Sequence, residues 1–303
     1  MIHPDRRTFI SHAFGAGALI AAAPATAMTQ GHVPLPPKSH GAVLDEAYWG
    51  LVKESFPLSP GLVLMNAANL CPSSLPALEA MYENTKDMDS NPSFQNRAKM
   101  GEGKVNTRKI LADYLHTTPE QIVITRNTSE GNNLVSSGVE LTANDEVIIF
   151  NHNHPSNNVA WKEKAKRYGF TVTELEVVNP HPGPDYYIDL VRRSITARTK
   201  LLSFTHQTNT VGDLFPAKEL CQVAHERGIL VLVDGAQSFG LMDVDLNDMQ
   251  PDFYTGSAHK WPCGPKETGV LFINNRAHDK IWPSIHSAGR GDVGISRTFE
   301  SFG

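Results

Sequence analysis

The chain has 303 residues, of which 40% are hydrophobic and 19% charged, an ordinary globular balance with material for one large domain or two smaller ones. A formal net charge of -5 and the lack of a long basic block argue against nucleic acid or an acidic membrane surface as a partner. Cys71, Cys221 and Cys263 are scattered and form no C-x-x-C pair, which argues against a disulfide framework or a cysteine zinc site.

Residues 1–27 read as a signal peptide. Arg6-Arg7-Thr8-Phe9-Ile10 is a twin-arginine start, and Ala13 to Ala23 is an apolar stretch too short to span a bilayer. Ala25-Thr26-Ala27 fits the A-x-A cleavage pattern. This predicts export to the periplasm by the twin-arginine route, a mature chain beginning near Met28, and no stable membrane anchor after processing. Residues 28–60 read as a linker and N-terminal arm, with Pro34, Pro36 and Pro37 in its first part. Residues 61–303 read as one large domain.

Within that domain, strands and helices alternate. Residues 105–114 predict a helix, 121–125 a strand, and 129–137 a helix opened by Asn127-Thr128-Ser129. Strands follow at 146–150, 171–175, 201–205, 229–234 and 268–273, with helices at 161–168 and 217–227. The expected fold is α/β, three layers α/β/α around a mainly parallel sheet. In such sheets ligands sit outside the carboxyl ends of the strands. Polar clusters fall there: Asn127-Thr128-Ser129, His154, His206 to Asn209, and Asp234 to Gln237.

The most informative segment is Val231-Leu232-Val233-Asp234-Gly235-Ala236-Gln237, an apolar strand that delivers a carboxylate at its end. Alone it could be a helix cap. Ser257-Ala258-His259-Lys260 follows downstream, then Gly264-Pro265 and Thr268-Gly269. A lysine by itself is usually a solvated surface group. Together the two segments describe a division of labour: a lysine amine forms a Schiff base with an aldehyde cofactor, and an aspartate pairs with its pyridinium nitrogen.

With these motifs in order, the chain from about Leu64 to Gly303 resembles the class V aminotransferase family, of the PLP-dependent transferase fold type I. The resemblance implies pyridoxal 5'-phosphate as cofactor and an amino acid as substrate. It places Lys260 as the attachment point, Asp234 on the ring nitrogen, and His154, within Asn153-His154-Pro155, stacked on the ring. It makes Thr128 and Ser129 part of the phosphate turn, with Ser257 and His259 adding donors. Asn209 and Gln237 fall on the positions that touch the phenolic oxygen. The family also carries a smaller C-terminal domain with an arginine that grips the substrate carboxylate, and pairs as homodimers. That domain is expected to be missing from these 303 residues. Thr298-Phe299-Glu300 resembles the lead-in to a loop that reaches a neighbouring subunit's phosphate.

Within the family, Asn66-Ala67-Ala68-Asn69 and Phe299 to Gly303 look most like isopenicillin-N-epimerase-like members. This implies epimerase or transaminase chemistry, an isomerase or a transferase. Cysteine-desulfurase or lyase-type members are the alternative. Their usual persulfide cysteine lies in a late loop, and no cysteine follows Cys263. A cofactor-binding protein without catalysis is a further reading. A dinucleotide-binding domain is disfavoured, since no G-x-G-x-x-G stands between a strand and a helix. No metal is expected: His152 and His154 form an H-x-H pair without further ligands at zinc spacing. His206 reads equally well as a core histidine. Cys71 and Cys263 read as packing residues, and Gly289-Arg290-Gly291-Asp292 as a solvated turn.

Overall fold

Apolar runs buried on both faces define the sheet of the computed structural model, which describes residues 46–286 and 291–300. The twin-arginine stretch, the proline-rich part of the linker, Gly289-Arg290 and residues 301–303 lie outside those described residues. In chain order the helices are α1 (Glu46–Glu54), α2 (Leu75–Ser90), α3 (Phe94–Tyr114), α4 (Thr128–Gly138), α5 (Pro155–Tyr168), α6 (Pro184–Ser194), α7 (Ala217–His225), α8 (Leu246–Met249) and α9 (Ser296–Phe299). The strands are β1 (Ile122–Thr125), β2 (Glu146–Phe150), β3 (Thr171–Leu175), β4 (Thr199–Thr205), β5 (Leu230–Asp234), β6 (Phe253–Ser257) and β7 (Gly269–Ile273). The arm expected at residues 28–60 thus contains a helix, α1.

The seven strands run in the order β1-β7-β6-β5-β4-β2-β3. All neighbours are parallel except β7, which is antiparallel to both β1 and β6. Every residue of β2, β6 and β7 is buried, as parallel-type sheets covered on both faces require. Successive side chains feed opposite cores. Ile148, Phe150, Leu202, Phe204, Val231 and Val233 face α6 and α7, where Tyr187, Val191 and Leu220 meet them. Val147, Ile149, Leu201 and Leu232 face the other way, toward Leu134 and Val135 of α4 and Trp161 of α5.

Helix α5 starts six residues earlier than the sequence predicts. His154 caps it, accepting a hydrogen bond from the Ser156 backbone, and Pro155 occupies the first turn. Its polar Asn157 and Asn158 are buried and hydrogen-bonded, although Asn157 Nδ2 meets no partner among the described residues. Asn157 Oδ1 accepts from Trp161 Nε1 and Ser203 Oγ, both at 3.1 Å, and Asn158 Nδ2 donates to the Phe150 carbonyl at 2.9 Å. Gly169, at φ 83°, ends the helix in the left-handed conformation that glycine adopts without strain.

The register brings five strand ends to one edge. Thr125 and Ser257 both lie opposite Gly269, and Asp234 lies between Thr205 and Thr255. Apolar side chains remain open around this large domain. Val63 is 74%, Met65 88% and Phe94 84% exposed, on the segment before α2 and at the start of α3.

Candidate active site

Lys260 follows β6 in the turn closed by the Cys263 N–H to Lys260 carbonyl bond. Its amine is largely buried, and that burial holds its pKa below the ordinary lysine value. The charges of Asp234 and Cys71 oppose the shift, which places all three groups within electrostatic reach. Asp234 ends β5 and is fully buried. Its Oδ1 accepts from the Ala236 N–H at 3.1 Å, and its Oδ2 accepts from Asn132 Nδ2 at 2.8 Å.

His154, at the head of α5, is half-buried. Its pKa is lowered by burial, opposed by Asp234 and reinforced by Lys260. Its Nδ1 accepts from the Ser156 N–H at 3.3 Å and lies 2.8 Å from the Ser156 hydroxyl, which fixes the ring. Lys260, Asp234 and His154 are therefore within electrostatic reach of one another.

Thr128 and Ser257 close the floor beside them. The Thr128 N–H, at the N-terminus of α4, donates to Ser257 Oγ at 2.9 Å, and the two hydroxyls are 2.8 Å apart. Asn127 caps the helix by accepting from the Glu130 N–H. Ser129 is half-exposed on the next position, lining a surface depression with Arg126, Glu130 and Glu267. His259 is lowered in pKa by burial and by Lys260, and its buried Nδ1 meets no partner among the described residues.

Two predicted residues have other surroundings. Gln237 is buried with both ends engaged: Nε2 donates to the Ala68 carbonyl and Oε1 accepts from Trp261 Nε1, each at 2.8 Å. It joins the segment before α2 to the lysine turn. Asn209 is exposed in the turn after β4. His206 is buried, and desolvation pushes its pKa down to about 4, a core histidine held neutral.

Asn132, Thr255 and Trp261 are polar groups of the site that the motifs do not mark. One signal for Asn132 was available: it lies four residues after Thr128 on a helix and so shares its face. The cysteines are also less scattered than their spacing suggests. The Cys71 and Cys263 thiols donate to the Ala67 and Trp261 carbonyls at 3.4 and 3.5 Å and are near enough to influence each other, which lowers the pKa of Cys71 and raises that of Cys263. Asp292, read as part of a solvated turn, instead pairs with the buried Arg108. Glu300 is pinned to its own chain by Arg108 at 2.6 Å and by the Ile124 N–H at 2.7 Å.

A partly buried lysine within electrostatic reach of a strand-end aspartate, with paired hydroxyls at a helix N-terminus, is found here in a chain whose residues 64–296 match the family model described as aminotransferase class-V. The chain belongs to this family. Isopenicillin N epimerase of Amycolatopsis lactamdurans is 31% identical to it over 229 residues, which is 75% of this chain and 57% of that relative. A probable cysteine desulfurase of Methanothermobacter thermautotrophicus is 29% identical over 241 residues, 78% of this chain and 59% of the relative. The chain thus spans about three fifths of the length of these curated relatives. Among solved structures, a C-DES mutant with glycine covalently linked to its PLP cofactor superimposes with a TM-score of 0.74 at 24% identity, over 82% of this chain and 66% of that one. The cysteine desulfurase of Thermococcus onnurineus superimposes with a TM-score of 0.70 at 28% identity, over 82% and 62% of the two chains. The mainly parallel seven-stranded sheet is that of the fold type I PLP enzymes.

The residues present fit the cofactor of this class V family. Lys260 supplies a buried amine of lowered pKa, and Asp234 a buried carboxylate. The α4 N-terminus, the paired hydroxyls and the unpartnered His259 nitrogen supply donors for an anion.

Proposed function

We propose that this chain is the cofactor-holding part of a PLP-dependent enzyme that acts on an amino acid, with Lys260 as the point of attachment and epimerase or transaminase chemistry. The observation that carries the reading is the partly buried Lys260 amine within electrostatic reach of the buried Asp234 carboxylate. When bound, the cofactor supplies an electron-accepting ring that lets a bond at the substrate's α-carbon break.

The chain's own groups have separate tasks. Burial of Lys260 raises the fraction of neutral amine, the form that attacks an aldehyde and later carries a proton. Asp234, oriented by two N–H donors, holds a proton on the ring nitrogen. His154, kept neutral by burial, offers a flat face to the ring. Thr128, Ser129, Ser257 and His259 bind the phosphate, while Asn209 and the second N–H of Gln237, which the bond to Ala68 leaves free, attend the phenolic oxygen.

The deciding experiment is a titration with pyridoxal phosphate followed by borohydride trapping and peptide mapping. The adduct is expected on Lys260 and absent from Lys260→Ala, and an adduct on another lysine overturns the assignment. An amino-acid panel, scored for inversion, keto-acid product and sulfide, then separates the chemistries. The desulfurase reading has one observation of its own, the Cys71 thiol of lowered pKa within reach of Lys260. Sulfide release from cysteine that depends on Cys71 would decide for it. Cofactor binding without turnover on any amino acid would leave a cofactor-binding protein.

The exposed apolar side chains at Val63, Met65 and Phe94 support a homodimer as the working assembly. Export by the twin-arginine route completes the proposal. Replacing Arg6 and Arg7 by lysine is expected to leave unprocessed protein in the cytoplasm, and unchanged processing overturns it.

A further inference from the structure

Three buried side chains from three elements form a chain of hydrogen bonds that ends on Asp234. Thr255 of β6 donates through Oγ1 to Asn132 Oδ1 at 2.8 Å, and Asn132 of α4 donates through Nδ2 to Asp234 Oδ2 at 2.8 Å. Asn132, Thr255 and Asp234 are each 0% exposed. The threonine hydroxyl has only one sensible direction here. It gives its hydrogen to the amide oxygen, and this leaves the amide NH2 facing the carboxylate. The flipped amide would set a carbonyl oxygen against a carboxylate oxygen, two acceptors with no proton between them.

We propose that Asn132 is a positioning residue for Asp234: pinned by Thr255, it donates to the carboxylate and fixes its direction, so that Asp234 meets the ring nitrogen in one orientation. This deepens the cofactor reading above and rests on it. The physical reason is the burial. An ionised carboxylate without water needs donors for its lone pairs, and only the Ala236 N–H and Asn132 Nδ2 are hydrogen-bonded to the Asp234 carboxylate among the described residues. Loss of one donor leaves a buried lone pair unmet and lets the carboxylate turn away from the ring nitrogen. Gly131 makes the approach possible. A Cβ there would lie 2.7 Å from Thr255 Cγ2, so α4 can rest this closely on β6 only with glycine next to Asn132.

The test compares two probes in the whole chain: pyridoxal phosphate, and its 1-deaza analogue, in which C–H replaces the ring nitrogen. Asn132→Leu is expected to weaken pyridoxal phosphate about tenfold, the size associated with loss of a hydrogen bond to a charged group. It should leave the affinity for the deaza analogue unchanged or improved, because a C–H makes no hydrogen bond that depends on the direction of the carboxylate. Thr255→Val, which keeps the side-chain shape and frees the amide, should show the same pattern at roughly twofold to fivefold. It serves if Asn132→Leu does not fold. Equal losses for both probes mean that Asn132 only supports the packing, and no loss means that it is silent; either overturns the inference. If the unmodified chain binds no pyridoxal phosphate at all, the cofactor reading itself fails and this inference falls with it.

Discussion

The hydroxyl groups of Thr128 and Ser257 lie 2.8 Å apart, one at the head of α4 and the other at the end of β6, and the Thr128 N–H points at the same serine oxygen. Two hydroxyls and a helix N-terminus that converge form a natural cradle for a phosphate. Ser257→Ala is therefore expected to weaken pyridoxal phosphate about tenfold, on the scale of hydrogen bonds to a charged group. Pyridoxal, which lacks the phosphate, should be affected little. Fluorescence titration of both ligands measures this, and an equal loss for the two would remove Ser257 from the phosphate site.

His206 predicts how stability depends on pH. Burial lowers its folded-state pKa to about 4 from an ordinary value of 6.5. The unfolded chain therefore binds a proton in this window and the folded chain does not. The associated stability is fully present above about pH 6.5 and is lost as pH falls toward 4, on the order of 3 kcal/mol in all. Denaturant melts between pH 7 and 4.5 are expected to move toward lower denaturant for the natural chain. His206→Gln should flatten that slope, and an unchanged slope in the variant would assign the acid sensitivity elsewhere.

The C-terminal described segment is held by a buried ion pair. Arg108 on α3 and Glu300 have side chains 1% and 0% exposed, and Glu300 also takes the Ile124 N–H at 2.7 Å. Removing one partner strands the other charge in the interior, so Arg108→Ala is expected to cost about 3–5 kcal/mol. The double variant Arg108→Met with Glu300→Leu should recover much of the loss. If the double variant is as unstable as Arg108→Ala, lost packing rather than an uncompensated charge is the cause.

The parts that the amino-acid sequence carried openly are those governed by local rules. The runs at Glu146–Phe150 and Thr171–Leu175 form strands with the boundaries their composition predicts. Val231-Leu232-Val233 delivers Asp234 to the strand end as read, and Asn127 caps α4. Tertiary satisfaction hid the rest. Asn157 and Asn158 look like a loop until Trp161, Ser203 and Phe150 take their hydrogen bonds. Gly256 looks like a break in β6, yet a Cβ there would meet the Phe239 ring at 2.8 Å, so the strand needs it. Tyr187 and Val191, four apart, are the buried residues of α6 and mark its apolar face in the sequence. Asn132 could not be tied to Asp234 from sequence, because that contact depends on how closely two elements pack and not on their spacing.

That closeness can be changed at a single position. Gly131 lies in the interior of α4, where alanine ordinarily stabilises a helix by about 1 kcal/mol relative to glycine. Here the new methyl would stand 2.7 Å from Thr255 Cγ2 and 3.3 Å from Thr255 Cβ, on a threonine that is fully buried and pinned by its neighbours. Neither atom is the end of a flexible chain, so α4 must lift from β6. Overpacking of this kind costs about 1–3 kcal/mol, which outweighs the propensity gain. Gly131→Ala is therefore expected to lower the melting temperature. It should also lengthen the path from Thr255 through Asn132 to Asp234, so pyridoxal phosphate is expected to bind several-fold more weakly even at temperatures where the variant is folded. Gly101 on the exposed face of α3 has open space around its Cβ position and provides the control, since Gly101→Ala should raise the melting temperature or leave it unchanged. If Gly131→Ala melted at or above the natural chain with full cofactor affinity, α4 would have room to spare, and close helix–strand contact would not be what holds Asp234 in place.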